Sequence, residues 1–326
     1  MGTNRVKGQG SRVKEKTVQD SSKPDLSIVI LSFNVKELLL KCLESLYLNM
    51  SKGDIFQVIV VDNDSKDESL EAAKKVFPQI EAYQSGSNLG FSGGNNFAVP
   101  HIKSDFVLFL NPDTVVEGDV IQRCLETLKM DLGMGAITCR VEFPNGQIDY
   151  STHRGIPTPW NSLMYFTGLS RLFPHSKLFS GYTASYLDTK TPHEVDCVSG
   201  VFLMLRKEVG EAIHWWDQDY FWNGEDIEFC YRLKEKGWKI FYFPYKGGKI
   251  IHYKGSSSGL WSTSRGEVPK ERKIISAKHA ASAMRIFYKK HFYKRYPVIM
   301  RDLVLLAITL LEKWRIFKIS VGLKYK

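Results

Sequence analysis

The sequence places a carboxylate directly after a short apolar run. Residues 106–110 are consecutive apolar residues, and Asn111, Pro112 and Asp113 follow them. Such a run predicts a strand buried on both faces of a parallel sheet, and Pro112 cannot continue it. We therefore expect Asp113 just beyond the carboxyl end of a strand, where open α/β sheets bind ligands. A carboxylate there suits Mg²⁺ or Mn²⁺ carrying a phosphate, although Asn-Pro-Asp is also typical of a simple turn.

Two further polar clusters follow predicted strands. Ser32 and Asn34 come after the first strand, and Asp62 and Asn63 come after the second. An acid at the end of the second strand is well placed to hydrogen-bond a base or a ribose. The second cluster extends to Ser65, and a helix N-cap by Asp64 or Ser65 would explain one of its residues but not the whole of it. Both clusters are therefore candidate donor contacts.

A glycine-rich loop is predicted over Ser85–Gly94, and it leads into a helix. Its glycines allow the backbone to approach a ligand closely, and a helix N-terminus favours anions. Asn88 and Gly90 are the candidate contacts. The stretch matches neither the Gly-x-Gly-x-x-Gly fingerprint nor a Walker loop, so it indicates neither dinucleotide nor P-loop chemistry.

Two adjacent carboxylates, Glu225 and Asp226, begin a predicted helix in the second half of the chain. Acids in a first turn also stabilise a helix through its macrodipole, which is the simpler interpretation. Aromatic residues precede the pair, and aromatic faces often pack on sugar rings, so Trp215 and Trp222 are candidate acceptor contacts. His252 follows a predicted strand and is a candidate ligand for a metal or a phosphate.

The elements that must position these residues alternate regularly over the first half. Strands are predicted over Leu26–Leu31, Phe56–Val61, Ile80–Gln84 and Phe106–Leu110. Helices are predicted over Lys36–Met50 and Ser65–Phe77, from the glycine-rich loop to Ile102, and over Gly118–Leu132. This alternation predicts a mostly parallel sheet with helices on both faces.

The second half is less regular. Strands are predicted over Ala136–Phe143, Val195–Arg206, Trp238–Phe243 and Lys249–Tyr253, and a helix over Glu225–Lys236. Residues 144–194 lack periodicity but are rich in aromatic residues. Long irregular segments inside compact proteins usually carry function, so we expect this one, together with the basic C-terminal tail, to shape an acceptor site.

Positive charge is concentrated at the two ends. Residues 1–23 hold six Lys/Arg against two acids, and residues 265–326 hold sixteen against four, within a total of +10. Basic ends favour an anionic surface. The apolar run 303–311 is too short to span a bilayer, so it predicts either an interfacial helix or one docked on the protein's own core.

The five cysteines are scattered and include no Cys-x-x-Cys pair. This spacing fits neither a zinc site nor a disulfide framework, and it favours reduced, mostly buried thiols in a cytosolic protein. The first 24 residues have no apolar core, so they predict a disordered arm rather than a signal peptide.

Seven segments occur in one order, and together they carry a family resemblance. They are Ser27–Asn34, Val60–Ser65, Asn88–Asn96, Phe109–Asp113, Val198–Gly200, Gly224–Asp226 with Gly237–Trp238, and His252. The set resembles the inverting family 2 glycosyltransferases of the GT-A fold, and within them the rhamnosyltransferase-like branch. The resemblance covers roughly residues 25–255.

The resemblance implies a domain division and a role for each motif. The division is a disordered basic arm (1–24), a GT-A catalytic domain (25–264) with a nucleotide-sugar half (25–143) and an acceptor half (144–264), and a basic helical extension (265–326). Donor contacts would be Ser32, Asn34, Asp62, Asn63, Asn88, Gly90 and Asn111. Asp113 would bind a divalent metal, Mg²⁺ or Mn²⁺, with His252 as a second candidate ligand. Asp226 would be the catalytic base and Glu225 its neighbour.

We therefore expect an inverting glycosyltransferase at or near the inner face of the cell membrane. It would move a sugar, rhamnose by the branch resemblance, from a dTDP- or UDP-sugar to a glycan or lipid-linked acceptor in polysaccharide biosynthesis. Three alternatives stay open: a sugar-nucleotide pyrophosphorylase, a glycosidase using Asp226 and a second carboxylate, and a non-enzymatic module that binds anionic surfaces. Nucleic acid is not an expected partner, because no known module is present.

Overall fold

The computed structural model describes residues 23–51, 53, 55–253 and 269–322. Its first half contains β1 (Leu26–Ser32), α1 (Lys36–Leu48), β2 (Phe56–Asp62), α2 (Ser69–Val76), β3 (Glu81–Gln84), α3 (Gly90–Ala98), β4 (Phe106–Leu110), β5 (Thr114–Glu117), α4 (Val120–Met130), β6 (Met134–Cys139) and β7 (Val141–Glu142). Its second half contains α5 (Pro159–Phe166), α6 (Leu169–Leu172), β8 (His193–Val195), β9 (Phe202–Arg206), α7 (Lys207–Ala212), α8 (Glu225–Glu235), β10 (Lys239–Phe243), β11 (Lys249–His252), α9 (Lys270–His291) and α10 (Val298–Ser320). The predicted disordered arm lies almost wholly outside these ranges.

Eight strands form the main sheet, in the order β3-β2-β1-β4-β9-β6-β10-β8. The pairs among β3, β2, β1 and β4 are parallel, as is the pair of β6 and β10. β9 runs antiparallel to both of its neighbours, and β8 is antiparallel to β10. The predicted α/β architecture with a mostly parallel central sheet is therefore confirmed.

The main sheet is buried on both faces because its strands alternate their apolar side chains between two cores. In β1, Ile28 and Ile30 join the cluster that contains α1. Val29 points to the opposite cluster, together with Phe109 of β4 and Trp216. Parallel sheets covered by helices show this continuous apolar pattern. The two cores fix the carboxyl ends of β1, β2 and β4 side by side.

A second, three-stranded sheet has the order β5-β11-β7. β5 begins at Thr114, directly after Asp113, and His252 at the end of β11 lies opposite Thr114 in the antiparallel register. The backbone N–H of Tyr253 also donates to the Asp113 carbonyl at 2.8 Å. This small sheet brings the two candidate metal ligands together.

Several predicted element boundaries are wrong, and the strand predicted over Ala136–Phe143 is divided between β6 and β7, which belong to different sheets. Helix α2 begins at Ser69 rather than Ser65, because the Asp62 carboxylate accepts the Ser65 N–H at 2.8 Å and turns the chain there. The glycine-rich stretch is helical from Gly90 onward instead of forming a loop. The segment predicted as one strand from 195 to 206 contains only the end of β8 and then β9.

The C-terminal extension is helical, as predicted, and α9 packs against the region around α8. Buried aromatic residues of α9 pack with aromatic residues around α8; this cluster includes Tyr220, Tyr231, Phe287, Tyr288 and Phe292. Within it, buried Glu228 accepts the Tyr220 hydroxyl at 3.0 Å and lies 2.7 Å from His291 Nε2. Among the described helices, none is both long and apolar enough to cross a bilayer.

All five cysteines are buried and unpaired by disulfides, as the spacing predicts. Burial raises the pKa of the Cys42 thiol to about 12, so this group is an inert part of the core.

Candidate active site

A cavity of about 1810 Å³ opens at the carboxyl ends of β1, β2 and β4. It is lined by ten of the predicted site residues: Asn34, Asn63, Asn88, Gly90, Asn111, Asp113, Trp222, Glu225, Asp226 and His252. Residues from both halves of the chain therefore face one space. Asp113 and Asp226, the predicted metal ligand and the predicted base, are both on its wall.

Ser32 and Asp62 lie behind the cavity wall rather than in its lining. They are partners in the register of β1 and β2, and both are buried. Asp62 Oδ1 accepts from Gln84 Nε2 at 2.9 Å, but its Oδ2 has no hydrogen-bond partner among the described residues. Ser32 Oγ likewise has no hydrogen-bond partner among the described residues. Buried polar atoms without partners are costly, so they are the atoms that a ligand would be expected to satisfy.

Asn63 organises the corner where the glycine-rich stretch begins. Its Nδ2 donates to Asn88 Oδ1 and to the Gly90 carbonyl, both at 3.1 Å. Its Oδ1 accepts the Leu89 N–H at 2.9 Å. Asn34 plays a similar part nearby, because its Oδ1 accepts the Lys66 N–H at 2.7 Å. These amides hold the loops of the donor side in place as well as lining the cavity.

Gly90 joins the donor side to the loop that precedes α8. Its φ is +71°, and a Cβ at this position would lie 2.4 Å from the Phe221 carbonyl oxygen. The Phe91 N–H donates to that same carbonyl at 2.9 Å. Only glycine tolerates both the backbone angle and the contact, so the residue brings the 88–90 corner against the loop that carries Trp222.

His252 lies between two carboxylates. Its Nδ1 is 2.9 Å from Asp149 Oδ2, and its Nε2 is 3.5 Å from Asp113 Oδ1. Burial alone would lower the pKa of His252, but the hydrogen bonds to Asp113 and Asp149 outweigh it and raise that pKa to about 9. The ring is therefore an imidazolium at neutral pH in this arrangement, which places a positive charge beside Asp113.

The donor set around Asp113 fits a divalent cation that also binds a phosphate. The Asp113 carboxylate and the Asn111 amide follow β4, and the His252 ring approaches Asp113 from the end of β11; the ring would have to lose its proton to act as a metal ligand. The described residues contain no group of three His, Cys, Asp or Glu side chains placed to hold a metal by themselves. Mg²⁺ commonly binds through one or two carboxylates and completes its shell with waters and substrate phosphates, so the set fits a cation that arrives with its substrate.

Asp226 lies in the first turn of α8 and forms an ion pair with Arg154. Both side chains are mostly buried on the cavity wall. Asp226 Oδ1 also accepts the Ile227 N–H at 2.8 Å. Burial would lower the pKa of Arg154, but Asp226 outweighs it and raises that pKa further. The guanidinium is thus a permanent cation that balances the carboxylate.

Glu225 differs from its neighbour in protonation. Burial, followed by the charge of Asp226, raises the pKa of Glu225 to about 8. The side chain is therefore mostly a neutral acid at pH 7. Its Oε2 is buried and has no hydrogen-bond partner within the described ranges. The two adjacent acids are set apart by their surroundings, one neutral and one paired with a cation.

The two tryptophans predicted as acceptor contacts have different locations. Trp222 lines the cavity, and its ring centroid lies 6.1 Å from that of His279 in α9. Trp215 does not line it: the side chain is buried in the second core cluster, edge-on to Phe109. Its indole packs there because the glycine at position 210 leaves room for the ring.

Arg154 and Asp149 contribute to the site and were missed by the sequence reasoning. Both lie in the irregular segment 144–194, where no periodicity assigns a direction to a side chain. The backbone of Arg154 pairs with that of Cys197 through hydrogen bonds of 3.1 and 2.9 Å. This long-range pairing carries Arg154 to Asp226, and no local pattern predicts it. The high aromatic content of residues 144–194 was the sequence feature that marked this segment as functional.

The far part of the cavity is apolar and helical. Its walls are formed by α5, α9 and α10, with lining residues that include Trp160, Leu163, Phe166, Ile275, Met284, Phe287, Met300, Leu303, Ala307, Leu310 and Trp314. Ala283 of α9, also in the lining, would lie 3.0 Å from a Cβ added at Gly224. The apolar part therefore passes directly beside the loop that begins α8.

Comparisons with known sequences agree with this geometry. The glycosyl transferase family 2 profile matches residues 27–207. The low-salt glycan biosynthesis hexosyltransferase Agl10 of Haloferax volcanii is 28% identical over 228 residues, which are 68% of this chain and 66% of that protein. The rhamnosyltransferase WbbL of Escherichia coli is 28% identical over 238 residues, or 69% of this chain and 82% of WbbL. An N-acetylglucosaminyl-diphospho-decaprenol L-rhamnosyltransferase of Mycobacterium tuberculosis is 24% identical over 213 residues, which are 62% of this chain and 68% of that enzyme.

The fold is similar to that of solved glycosyltransferases. A structure of the mannosyltransferase PcManGT from Pyrobaculum calidifontis, in complex with GDP-Man and Mn²⁺, superposes with a TM-score of 0.55 at 14% identity. It covers 93% of this chain and 75% of the mannosyltransferase chain. This likeness concerns the fold alone, and it confirms the predicted GT-A architecture. Because the family profile matches more than half of its length, the chain belongs to glycosyl transferase family 2.

Proposed function

We propose that the protein is an inverting glycosyltransferase that moves a hexose from a nucleoside diphosphate to an acceptor hydroxyl. The observation that carries the proposal is that Asp113 and Asp226 line one cavity, although 113 residues separate them in sequence. Family membership supports sugar transfer as the reaction. The names of the relatives support rhamnose as the sugar and a diphosphate-linked lipid as the acceptor.

The donor side would hold the nucleoside and its diphosphate. Asn34, Asn63 and Asn88 line this side, and the unsatisfied Asp62 Oδ2 lies behind it. Loss of the nucleoside diphosphate develops negative charge on the leaving phosphate, and the imidazolium of His252 lies on this wall. A divalent cation held by Asp113 and Asn111 would supply stabilisation of this charge when bound, and His252 would join it as a ligand only after losing its proton.

The acceptor side would supply the base. The attacking hydroxyl must lose its proton as it reacts, so one correctly placed carboxylate is sufficient. Asp226 is a carboxylate in its pair with Arg154, which is the form that accepts a proton. Glu225 is mostly a neutral acid at pH 7, so it is the weaker candidate for the base. A single displacement on the face opposite the leaving group inverts the anomeric centre.

Two experiments test this function. Thermal-shift measurements with dTDP- and UDP-sugars, each with and without Mn²⁺, identify the donor; a stabilised transition with one nucleotide sugar is expected. NMR of the product from that donor then gives its anomeric configuration. Release of free sugar only, with no acceptor needed, would contradict the proposal and favour a glycosidase; retained configuration would contradict the single displacement.

A further inference from the structure

The apolar part of the cavity is large enough to hold a ligand in addition to the donor. A cavity of about 1810 Å³ exceeds the usual range for a small-molecule site, which is roughly 300–1,000 Å³. The donor would occupy the polar end, near Asp113. The remaining space lies between α5, α9 and α10, where the walls are mainly aliphatic and aromatic.

Several of the apolar residues that line this space are exposed to solvent, which is energetically unfavourable. Leu163 on α5 is 51% exposed, and Leu303 and Leu310 on α10 are 53% and 57% exposed. Large contiguous apolar surfaces on soluble proteins usually mark a binding site. The lining of α10 runs from Met300 to Arg315, which corresponds to about 22 Å of helix at 1.5 Å per residue. A groove of this length suits a chain rather than a compact ligand.

The charged side chains that line this groove favour an amphiphilic ligand with a negative charge. Among the described lining residues of α5, α9 and α10, the only charged side chains are Arg272 and Arg315. Arg315 lies 5.6 Å from the ring centroid of Phe166, so it connects α10 to α5 across the groove. Apolar walls with cationic groups complement a ligand that has a long hydrocarbon chain and a phosphate head.

The groove is also continuous with the candidate active site. The Ala283 side chain would lie 3.0 Å from a Cβ added at Gly224, the residue before Glu225, and Ala283, Gly224 and Trp222 all line the same cavity. A hydrocarbon chain in the groove would thus present its attached sugar close to Asp226. A bilayer lying against the outside of α10 would have no such continuity.

From this arrangement we propose that the groove between α5, α9 and α10 binds the isoprenyl chain of a diphosphate-linked acceptor. The inference rests on the proposed function, because it names the acceptor of that same site. It assigns to the helical extension a direct part in substrate binding.

The test measures binding of isoprenyl diphosphates to the full chain by tryptophan fluorescence, since Trp160, Trp222 and Trp314 line the cavity. The probes are geranyl, farnesyl and geranylgeranyl diphosphate, with inorganic diphosphate as the chain-free control. Affinity should rise about tenfold or more with each added isoprene unit until the groove is filled, because each buried methylene adds to binding. Equal affinity for all four probes would overturn the proposal.

Two substitutions on α10 provide a matched comparison. Leu303 and Leu306 are 53% and 54% exposed, but only Leu303 lines the cavity. Leu303→Asp should weaken farnesyl diphosphate binding at least tenfold, whereas Leu306→Asp should leave it within about twofold. The thermal unfolding of both variants establishes that they are folded. Equal losses in the two variants would overturn the proposal.

Vesicles of phosphatidylglycerol and phosphatidylethanolamine without isoprenyl lipid test the bilayer as the alternative occupant. The proposal expects them not to displace farnesyl diphosphate, and full displacement would show that the face docks on membranes instead. Nucleotide-sugar turnover by the wild type distinguishes failure of this inference from failure of the proposed function. Turnover without chain-length dependence overturns only this inference; absence of turnover with every donor and acceptor overturns the proposed function and the inference with it.

Discussion

Replacing Glu225 by Gln should stabilise the protein at neutral pH. The Glu225 carboxyl has an ordinary pKa of 4.5, which burial and the charge of Asp226 raise to about 8 in the folded state. Between these values the unfolded chain is ionised at this position and the folded chain is not. Stability therefore falls as pH rises from about 4.5 to about 8, because the native state binds one more proton than the unfolded state.

The magnitude follows from the size of the shift. Each pH unit inside this window costs about 1.4 kcal/mol, so the wild type should lose about 2.5 kcal/mol between pH 5 and pH 7 through this group. Glutamine keeps the shape but cannot ionise. The Oε2 atom of Glu225 makes no hydrogen bond to any described residue, so the substitution removes none at that atom.

Urea unfolding at pH 5, 6, 7 and 8 measures this effect directly. The free energy of unfolding of Glu225→Gln minus that of the wild type should increase by about 2.5 kcal/mol from pH 5 to pH 7 and then level off above pH 8. Glu44→Gln, at an exposed position of α1, is the control for the substitution itself. A difference that is constant across the four pH values would refute the assignment of Glu225 as a neutral buried acid.

Three further predictions concern the walls of the cavity. Arg154→Met should destabilise the fold by about 3–5 kcal/mol because it leaves Asp226 as a buried, unpaired carboxylate; urea unfolding measures this, and adding Asp226→Asn should recover part of the loss. Gly90→Ala should lower the free energy of unfolding by about 1–3 kcal/mol and weaken donor binding, because the added Cβ would collide with the Phe221 carbonyl. Gly86→Ala has a similar backbone angle and an open surrounding, so a thermal-shift comparison should show a smaller loss there; equal losses would contradict the contact argument. Removing divalent cations with EDTA should weaken donor binding at least tenfold and Mn²⁺ should restore it, as measured by calorimetry; an unchanged affinity would contradict the cation's role at Asp113.

The parts of the fold that sequence reasoning predicted are those fixed by local pattern. The apolar run before Asp113 has the length of a buried strand, and Pro112 correctly indicated that the strand ends before it. The same reasoning identified β1 and β2 and the polar residues that follow them. The two cores on the faces of the main sheet explain why these runs are apolar throughout.

The parts that it missed depend on contacts between distant segments. β5 is a strand because β11 pairs with it, more than 130 residues later in sequence. Trp215 follows the same aromatic pattern as Trp222, and only the surrounding core distinguishes a packing role from a place in the cavity lining. Arg154 reaches Asp226 through its pairing with Cys197. Such pairings leave no periodic signal in the sequence.

The measurement that tests the central claim most directly compares Asp226→Asn with Asp113→Asn for donor binding and sugar transfer. Asp226→Asn should keep donor affinity within about threefold and lower the transfer rate at least a hundredfold, because it removes the base on the acceptor side; thermal unfolding establishes that the variant is folded despite the loss of its ion pair with Arg154. Asp113→Asn should lose donor affinity in the presence of Mn²⁺. Normal transfer by Asp226→Asn, or unchanged donor binding by Asp113→Asn, would contradict the claim that these two carboxylates of one cavity act on the same reaction, one on the donor and one on the acceptor.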